Sequence, residues 1–187
     1  MFAQLDTKSV YSFMDSVVDL NTYVKRAKEL GYQSIGLMDR DNLYAAYHFA
    51  QLAIRNGLRP LIGIEANLFY DGRKIPFRLL AKNNQGYKNL MKLATELSSG
   101  QREFTAFSDY LNDIALILPS EDWEPGMTLG SEVFIGVRPE DAGKEFDYPV
   151  VPLHTVRYFE NADRSTIQML HAISQNVSLS EASICPM

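Results

Sequence analysis

Several acidic and basic side chains of this 187-residue chain come directly after short apolar stretches. Asp6 and Lys8 follow the apolar start of the chain, and Asp39 and Arg40 follow a second such stretch. Glu65 ends a third. Carboxylates in such places could hold divalent cations. An ammonium or guanidinium group cannot ligate a metal ion and repels it at close range. The mixture of charges therefore argues against a simple metal site.

The periodicity of apolar residues predicts the elements that would position these side chains. Helices are predicted over residues 20–30, 42–56, 87–97 and 162–174, with Asn42 and Asn161 as N-terminal caps and Gly31 and Gly57 as stops. Strands are predicted over residues 1–5, 34–38, 61–65, 66–70, 74–81, 114–118, 133–137 and 150–153. Asp71-Gly72, between two of these strands, is the strongest hairpin signal in the chain. Residues 119–130 and 138–148 are predicted to be loops.

The alternation of strands and helices indicates the α/β class, with parallel strands and right-handed crossovers. The pattern alone does not separate an open sheet from a barrel. In both architectures the carboxyl ends of the strands face the functional cleft. We therefore expect the four polar residues that follow strands to converge, namely Asp6, Asp39, Glu65 and Thr155.

The composition excludes several classes of function. Lys and Arg number 18 against 23 Asp and Glu, a net charge of −5, whereas an autonomous DNA-binding domain usually carries a basic face. Two interpretations, a local basic strip and an ordinary solvated face, remain open for the following basic residues: Arg73, Lys74, Arg78, Lys82, Lys88 and Lys92. No apolar run approaches the ~20 residues of a membrane-spanning helix, and no signal-peptide pattern follows Met1. One cysteine, Cys185, predicts a reducing, cytoplasmic environment without disulfides.

Five segments resemble the PHP (polymerase and histidinol phosphatase) domain, in the right order. Residues 6–12 are similar to its His-x-His and Ser-x-x-Ser motif, and residues 36–43 to its Thr-Asp-His-Gly-Asn-Leu. Residues 59–65 resemble Lys-Pro-Ile-Ile-Gly-x-Glu, with Glu65 intact. Residues 79–90 resemble the Leu-Leu-Ala-Lys-Asn and Gly-Tyr-x-Asn-Leu of one branch, the N-terminal PHP domains of bacterial DNA polymerase III alpha subunits. Residues 154–158 stand where that branch has Asn-Asp-Val-His-Tyr.

The resemblance implies a fold and a domain organisation. We expect a distorted (β/α)7 PHP-type barrel over residues 1–175, with a polar tail or a truncated continuation over residues 176–187. We include in this expectation that the chain could end before the barrel is complete. The strands near residues 2, 34, 61, 114, 133 and 150 are predicted to form one mostly parallel sheet.

The resemblance also implies a site, which this chain has altered. PHP sites gather His and carboxylate ligands around as many as three divalent metals. Here Asp6, Lys8, Arg40 and Arg157 stand at His positions and Thr155 at an Asp position, while Asp15 and Glu65 are retained. We predict a vestigial cleft without metal and without catalytic residues, formed by these seven residues and Asp39. Arg40 or Arg157 is expected to pair with one of the cleft acids.

The remaining candidates for chemistry have ordinary structural interpretations. His48 and His171 lie in predicted helices, where packing or surface roles are expected. His154 follows a strand near the cleft but is offset from the family's ligand positions. For Trp123 a surface anchor and a loop-packing role are equally open. Asp39-Arg40-Asp41 could be mistaken for the paired acids of a polymerase, but a capping and salt-bridge role is expected.

The expected function is an inactive structural or interaction module within a replicative DNA-directed DNA polymerase. The resemblance implies that the parent chain extends DNA with magnesium, in a palm domain that these residues lack, so this fragment itself needs no cofactor. Implied partners are the other domains of the alpha chain, a proofreading exonuclease or other replisome subunits, and DNA only through the parent. The competing hypotheses are a metal-dependent 3′–5′ exonuclease or phosphoesterase and a standalone small-molecule phosphatase.

Overall fold

The computed structural model describes residues 3–130, 132–141 and 143–182. Its helices are α1 (Leu20–Glu29), α2 (Ala46–Arg55), α3 (Asn84–Ser98) and α4 (Asp163–Gln175). Short 3₁₀ helices occur at Phe104–Tyr110, Ser120–Asp122 and Pro139–Asp141. The strands are β1 (Ala3–Gln4), β2 (Asp6–Thr7), β3 (Ser34–Arg40), β4 (Arg59–Tyr70), β5 (Arg73–Ala81), β6 (Ile114–Pro119), β7 (Val133–Val137), β8 (Val150–Pro152) and β9 (Thr155–Val156).

The chain divides into two compact units. The terminal unit contains Met1–Arg40, Tyr44–Leu61 and Thr155–Met187, and the central unit contains Asp41–Leu43 and Ile62–His154. Within the described residues, no helix is long and apolar enough to cross a membrane.

Two short parallel ladders organise the terminal unit. β1 pairs with β3, with Ala3 opposite Ser34, and β2 pairs with β9, with Asp6 opposite Thr155. Gly36 on β3 lies against the backbone of Leu5, because a Cβ atom built at this position would stand 2.2 Å from the Leu5 carbonyl oxygen. Only glycine permits such a close approach of two backbones.

Helix α1 covers this unit with the apolar face that its sequence predicts. Leu20, Tyr23, Val24 and Ala27 are buried, and the Asp19 side chain caps the helix by accepting from the Thr22 N–H. These hydrogen bonds from Thr22 lower the pKa of the Asp19 carboxyl. Tyr23 stacks on Phe49 of α2 with ring centroids 5.9 Å apart. Its hydroxyl donates to the Gly36 carbonyl at 2.9 Å, and burial raises its pKa.

The central unit contains a sheet of mixed direction. β4 and β5 form the predicted antiparallel hairpin, in which Tyr70 pairs with Arg73 around the Asp71-Gly72 turn. Both turn residues have positive φ, 52° and 74°, as a two-residue hairpin loop requires. β5 and β6 are also antiparallel, whereas β6–β7 and β7–β8 are parallel. The strands near residues 114, 133 and 150 pair in parallel, as predicted, and both antiparallel pairings involve β5, the second strand of the predicted hairpin.

Alternating residues of the hairpin form the core of the central unit. Ile64, Ala66 and Leu68 on β4 are 0% exposed, and they belong to one buried cluster with Phe77 on β5. This period of two is the signature of a strand with one buried face. Helix α3 covers the cluster with its Leu90, Leu93 and Leu97 side chains. The Asn83 side chain caps α3 by accepting from the Gln85 and Gly86 N–H groups.

The helix starts are the least accurate part of the sequence predictions. Asn42 was predicted to cap α2, but the helix begins at Ala46, and its N-cap residue Ala45 makes no side-chain capping bond. Asn161 was likewise predicted to cap α4, which begins at Asp163 without a side-chain cap. The Phe104–Tyr110 3₁₀ helix was not predicted at all.

One buried carboxylate organises the loops after β6 and β7. Asp141 is 5% exposed and accepts from the Ser120 hydroxyl at 2.5 Å, the Arg138 N–H at 3.1 Å and Lys144 Nζ at 2.7 Å. These donors stabilise the ionised form, and Lys144 makes the largest contribution to a pKa well below the ordinary value. The carboxylate thus links two loops whose sequences carry no helix or strand signal.

Replacing this carboxylate should produce a destabilisation that depends on pH. Because the folded-state pKa is depressed, the contribution of Asp141 is fully present above the unfolded pKa of about 4 and is lost as the pH falls below it. We expect Asp141→Asn to lower the free energy of unfolding by about 1–3 kcal/mol at neutral pH. The difference should shrink as the pH is lowered through 4 in urea-unfolding experiments. Asp147→Asn, at an exposed position in the same region, is the matched control and should show neither effect.

Candidate functional site

Asp6 and Lys8 form a buried ion pair in the terminal unit. The Asp6 carboxylate lies 2.8 Å from Lys8 Nζ and accepts from the Thr155 hydroxyl at 2.7 Å. Lys8 Nζ also donates to the Met38 carbonyl at 2.6 Å. Both charged side chains are 0% exposed. Buried charges are tolerated when they are paired and hydrogen-bonded in this way. The parallel pairing of β2 with β9 places Thr155 opposite Asp6 and so creates the second contact.

Asp39 at the end of β3 fixes the loop that follows β2. Its carboxylate accepts from the Ser9 N–H, the Ser9 hydroxyl and the Ser12 hydroxyl, each at 2.7 Å. Ser12 Oγ in turn accepts from the Arg40 N–H at 3.0 Å. Met14 in this loop has a φ of 60°, a left-handed conformation that is uncommon for methionine. Asp39 therefore has a positioning role within this unit.

Asp15 accepts contacts from two arginines and a histidine. Arg40 Nη2 lies 2.8 Å from one carboxylate oxygen, and Arg157 Nε lies 3.1 Å from the other. His171 Nε2 is 3.2 Å from the same oxygen as Arg157. The Asp15 side chain is 5% exposed, against 14% for Arg157 and 39% for Arg40. One largely buried carboxylate thus joins the loop after β2 to the end of β3, the segment after β9 and helix α4. Both arginines make the type of contact that was predicted for at least one of them.

Glu65 belongs to the central unit and has a cationic neighbour there. Arg78 Nη2 lies 3.3 Å from Glu65 Oε2, and the two side chains are 8% and 4% exposed. The hairpin register places the two residues opposite each other on β5 and β4. Arg78 Nη1 also donates to the Pro76 carbonyl at 2.6 Å. Arg78 is therefore a buried partner of the retained glutamate and does not belong to a solvated basic face.

Sequence analysis missed two residues of these clusters, for different reasons. Arg78 could have been found, because the two-residue Asp71-Gly72 loop fixes the hairpin register and hence the pairing of residue 65 with residue 78. His171 could not, because its contact with Asp15 spans 156 positions and depends on where helix α4 packs. A packing or surface role was expected for His171, and this role did not include its contact with Asp15.

The other candidates have the structural contacts expected of ordinary residues. His48 and His154 are exposed. Trp123 packs edge-on against Phe146, with ring centroids 5.3 Å apart, which agrees with the loop-packing interpretation. Asp41 forms a salt bridge of 2.8 Å with Arg102, as its expected role requires. Cys185 lies outside the described residues. The candidate basic strip is partly neutralised, since Arg73 contacts Glu124, Arg78 contacts Glu65 and Lys82 contacts Glu132.

The donor set of the terminal unit does not fit the multi-metal centre that the PHP resemblance implies. Metal ligands must direct neutral or anionic lone pairs at the cation. Here the carboxylates of Asp6 and Asp15 are directed at an ammonium and two guanidinium groups. Among residues 3–130, 132–141 and 143–182, no group of three or more His, Cys, Asp or Glu side chains could hold a metal ion. The chemistry of these contacts is charge neutralisation.

Truncating one arginine of the Asp15 cluster should destabilise the protein measurably. A buried ion pair that loses one partner costs about 3–5 kcal/mol, whereas an exposed pair contributes about 0–1 kcal/mol. Arg40 is half-buried and Arg157 stays beside Asp15, so we expect Arg40→Ala to cost about 1–3 kcal/mol in chemical denaturation. Arg55→Ala, an exposed arginine in the last turn of α2, is the control and should change the free energy of unfolding by less than about 0.5 kcal/mol. An Arg40→Ala variant as stable as the parent would contradict a structural role for this contact.

Comparison with known proteins identifies relatives of this chain. It is 46% identical over 186 residues to the DNA polymerase III subunit alpha of Streptococcus pyogenes serotype M1, covering 98% of this chain and 18% of that protein. It is 34% identical over 126 residues to the same subunit of Bacillus subtilis, covering 64% of this chain and 11% of that protein. The chain thus spans less than a fifth of the length of these relatives.

This chain is also similar to a solved structure and to a protein family. An amidohydrolase from Chromobacterium violaceum aligns with a TM-score of 0.44 and 18% identity, over 52% of this chain and 34% of that one. The PHP domain family matches residues 4–128. The α/β class and the PHP-type assignment predicted from the motifs are confirmed. The chain belongs to the PHP domain family.

Proposed function

We propose that this chain is the PHP domain of a DNA polymerase III alpha subunit and acts as a structural and interaction module without catalytic chemistry of its own. The observation that carries the proposal is the convergence of Arg40 and Arg157 on Asp15. Hydrolysis of a phosphoester at a PHP-type site needs metal-activated water, and metals need donor atoms that are free to bind them. In this chain those donor atoms are directed at cationic side chains.

The same contacts support a positive structural role. A bridging metal would join several loops through shared ligands, and the Asp15 carboxylate joins the corresponding segments through hydrogen-bonded ion pairs. Arginine suits this role because its guanidinium group is planar, permanently charged and able to donate several hydrogen bonds at once. The domain can therefore keep its loops in place without depending on metal supply.

The wider assignment follows from the relatives and is part of the proposal. We infer that the parent protein is a replicative DNA-directed DNA polymerase that uses magnesium in a catalytic domain outside these 187 residues. The partners proposed for this domain are the remaining domains of the alpha chain, and a proofreading exonuclease or other replisome subunits. Contact with DNA would then be indirect, and the protein would act in the cytoplasm. Residues 1–175 are proposed as the PHP domain and residues 176–187 as a tail or the start of a further segment.

A metal-dependent 3′–5′ exonuclease or phosphoesterase is the competing function, and retained Asp15 and Glu65 are the residues it would use. Metal analysis separates the two functions. If the domain is a metal-independent module, a chelator cannot change its stability, because only a ligand bound to the native state stabilises it. We expect the purified chain to contain no stoichiometric zinc or manganese. Its melting temperature should be the same in EDTA and in EDTA saturated with zinc, which cannot remove zinc or manganese and is the matched control.

The contrary outcome has two independent signs. The first is a fall of several degrees in melting temperature with free EDTA alone. The second is hydrolysis of 3′-end-labelled DNA that requires added manganese or zinc and disappears in a Glu65→Ala variant that is still folded. The first result would refute the metal-independent account, and the second would establish the metal-dependent enzyme in place of the proposed module.

A further inference from the structure

A groove in the central unit is lined by residues on which the proposed function does not depend. It has a volume of about 1040 Å³ and runs between the end of the β4–β5 hairpin (residues 69–72), the start of the 3₁₀ helix (residues 103–105) and residues 128–130. Residues 111–114 also line it. Ligand pockets typically measure about 300–1,000 Å³, so this groove is large enough for several residues of a peptide.

The floor of the groove is apolar and firmly packed. Phe104, Ile114 and Leu129 line it and belong to the buried core of the central unit. Phe69 on the wall remains 38% exposed. Hydrogen bonds fix both walls, since the Phe69 N–H donates to the Arg102 carbonyl at 2.7 Å and the Thr128 N–H donates to Tyr70 Oη at 3.0 Å. A preformed apolar floor of this kind would lose little entropy when it covers a ligand.

The rim of the groove is acidic. Asp71, Glu103, Asp113 and Glu132 line it, against a single cation, Lys82. Lys82 is paired with Glu132, and Asp113 accepts from the Asn83 side chain at 2.8 Å. The exposed carboxylates of Asp71 and Glu103 have no ion pair within the part of the chain that the structure describes. Such a rim repels phosphate groups and attracts cationic ones.

We propose that this groove binds a segment of a protein partner in which Lys or Arg residues flank a large apolar side chain. The apolar side chain would fill the space above Phe104 and Leu129, and the basic residues would face Asp71 and Glu103. This matches the usual arrangement of a protein interface, with an apolar centre surrounded by complementary polar groups. The proposal uses none of the cation–carboxylate contacts of the terminal unit, so its failure would leave the proposed function unaffected.

A random peptide library displayed on phage is the probe for this site. Selection on the full 187-residue chain should enrich peptides that carry Lys or Arg next to Leu, Phe, Trp or Met. Fluorescence anisotropy with synthetic versions of the selected peptides should show binding that weakens as salt is added, because the attraction is partly electrostatic. The double variant Asp71→Asn/Glu103→Lys should bind these peptides about tenfold or more weakly. Asparagine at position 71 tolerates the positive φ of the turn, so the hairpin should be preserved.

The matched control is the double variant Asp147→Asn/Glu145→Lys, which makes the same charge change at exposed positions that do not line the groove. It should bind the selected peptides as tightly as the parent, and both variants should melt at the parent's temperature. Amide shifts in NMR spectra should change at the walls and floor of the groove. The proposal is overturned if no peptide is enriched, if the selected peptides lack basic residues, or if the two double variants bind them equally well.

Discussion

Asp6 and Lys8 are removed from water, so each of these charges must be balanced by a partner within the fold. That requirement constrains the surrounding backbone, because Lys8 also needs the Met38 carbonyl and Asp6 also accepts from Thr155. The ends of β2, β3 and β9 are held at the positions where these bonds can form. The Asp15 cluster depends on the same strand ends, since Arg40 follows Met38 by two residues and Arg157 follows Thr155 by two.

Under the proposed function, this arrangement would let a PHP domain keep its architecture with cations at the positions of metal ligands. Without cationic partners, the Asp6 and Asp15 carboxylates would be buried charges without compensation, which is costly. Lys8, Arg40 and Arg157 supply that compensation and add directional hydrogen bonds. The cost of burying the charges is partly offset in this way, and the loops remain ordered. Under the proposed function, this exchange would preserve the scaffold without the donors that metal-dependent hydrolysis requires.

Sequence reasoning succeeded where local chemistry decides the structure. The apolar run of Val133–Val137 became a strand with the predicted bounds, and the Asp71-Gly72 turn formed its hairpin. It failed where tertiary contacts decide, as at the start of α2, where Asp41 adopts a positive φ and its N–H bonds to the Glu65 carbonyl. Within the candidate site, the residue types indicated that basic side chains would form ion pairs with acidic ones. The choice of Asp15 as the shared partner depends on packing, which no sequence motif encodes.

A double-mutant cycle on Asp6 and Lys8 tests most directly whether the Lys8 ammonium group neutralises the buried Asp6 carboxylate. Lys8→Met keeps the apolar stem, removes the charge and should lower the free energy of unfolding by about 3–5 kcal/mol, because Asp6 would remain buried beside it. Adding Asp6→Asn should recover a large part of that loss, giving a coupling energy above about 1 kcal/mol. A Lys8→Met variant as stable as the parent, or two mutations whose effects simply add, would contradict the account.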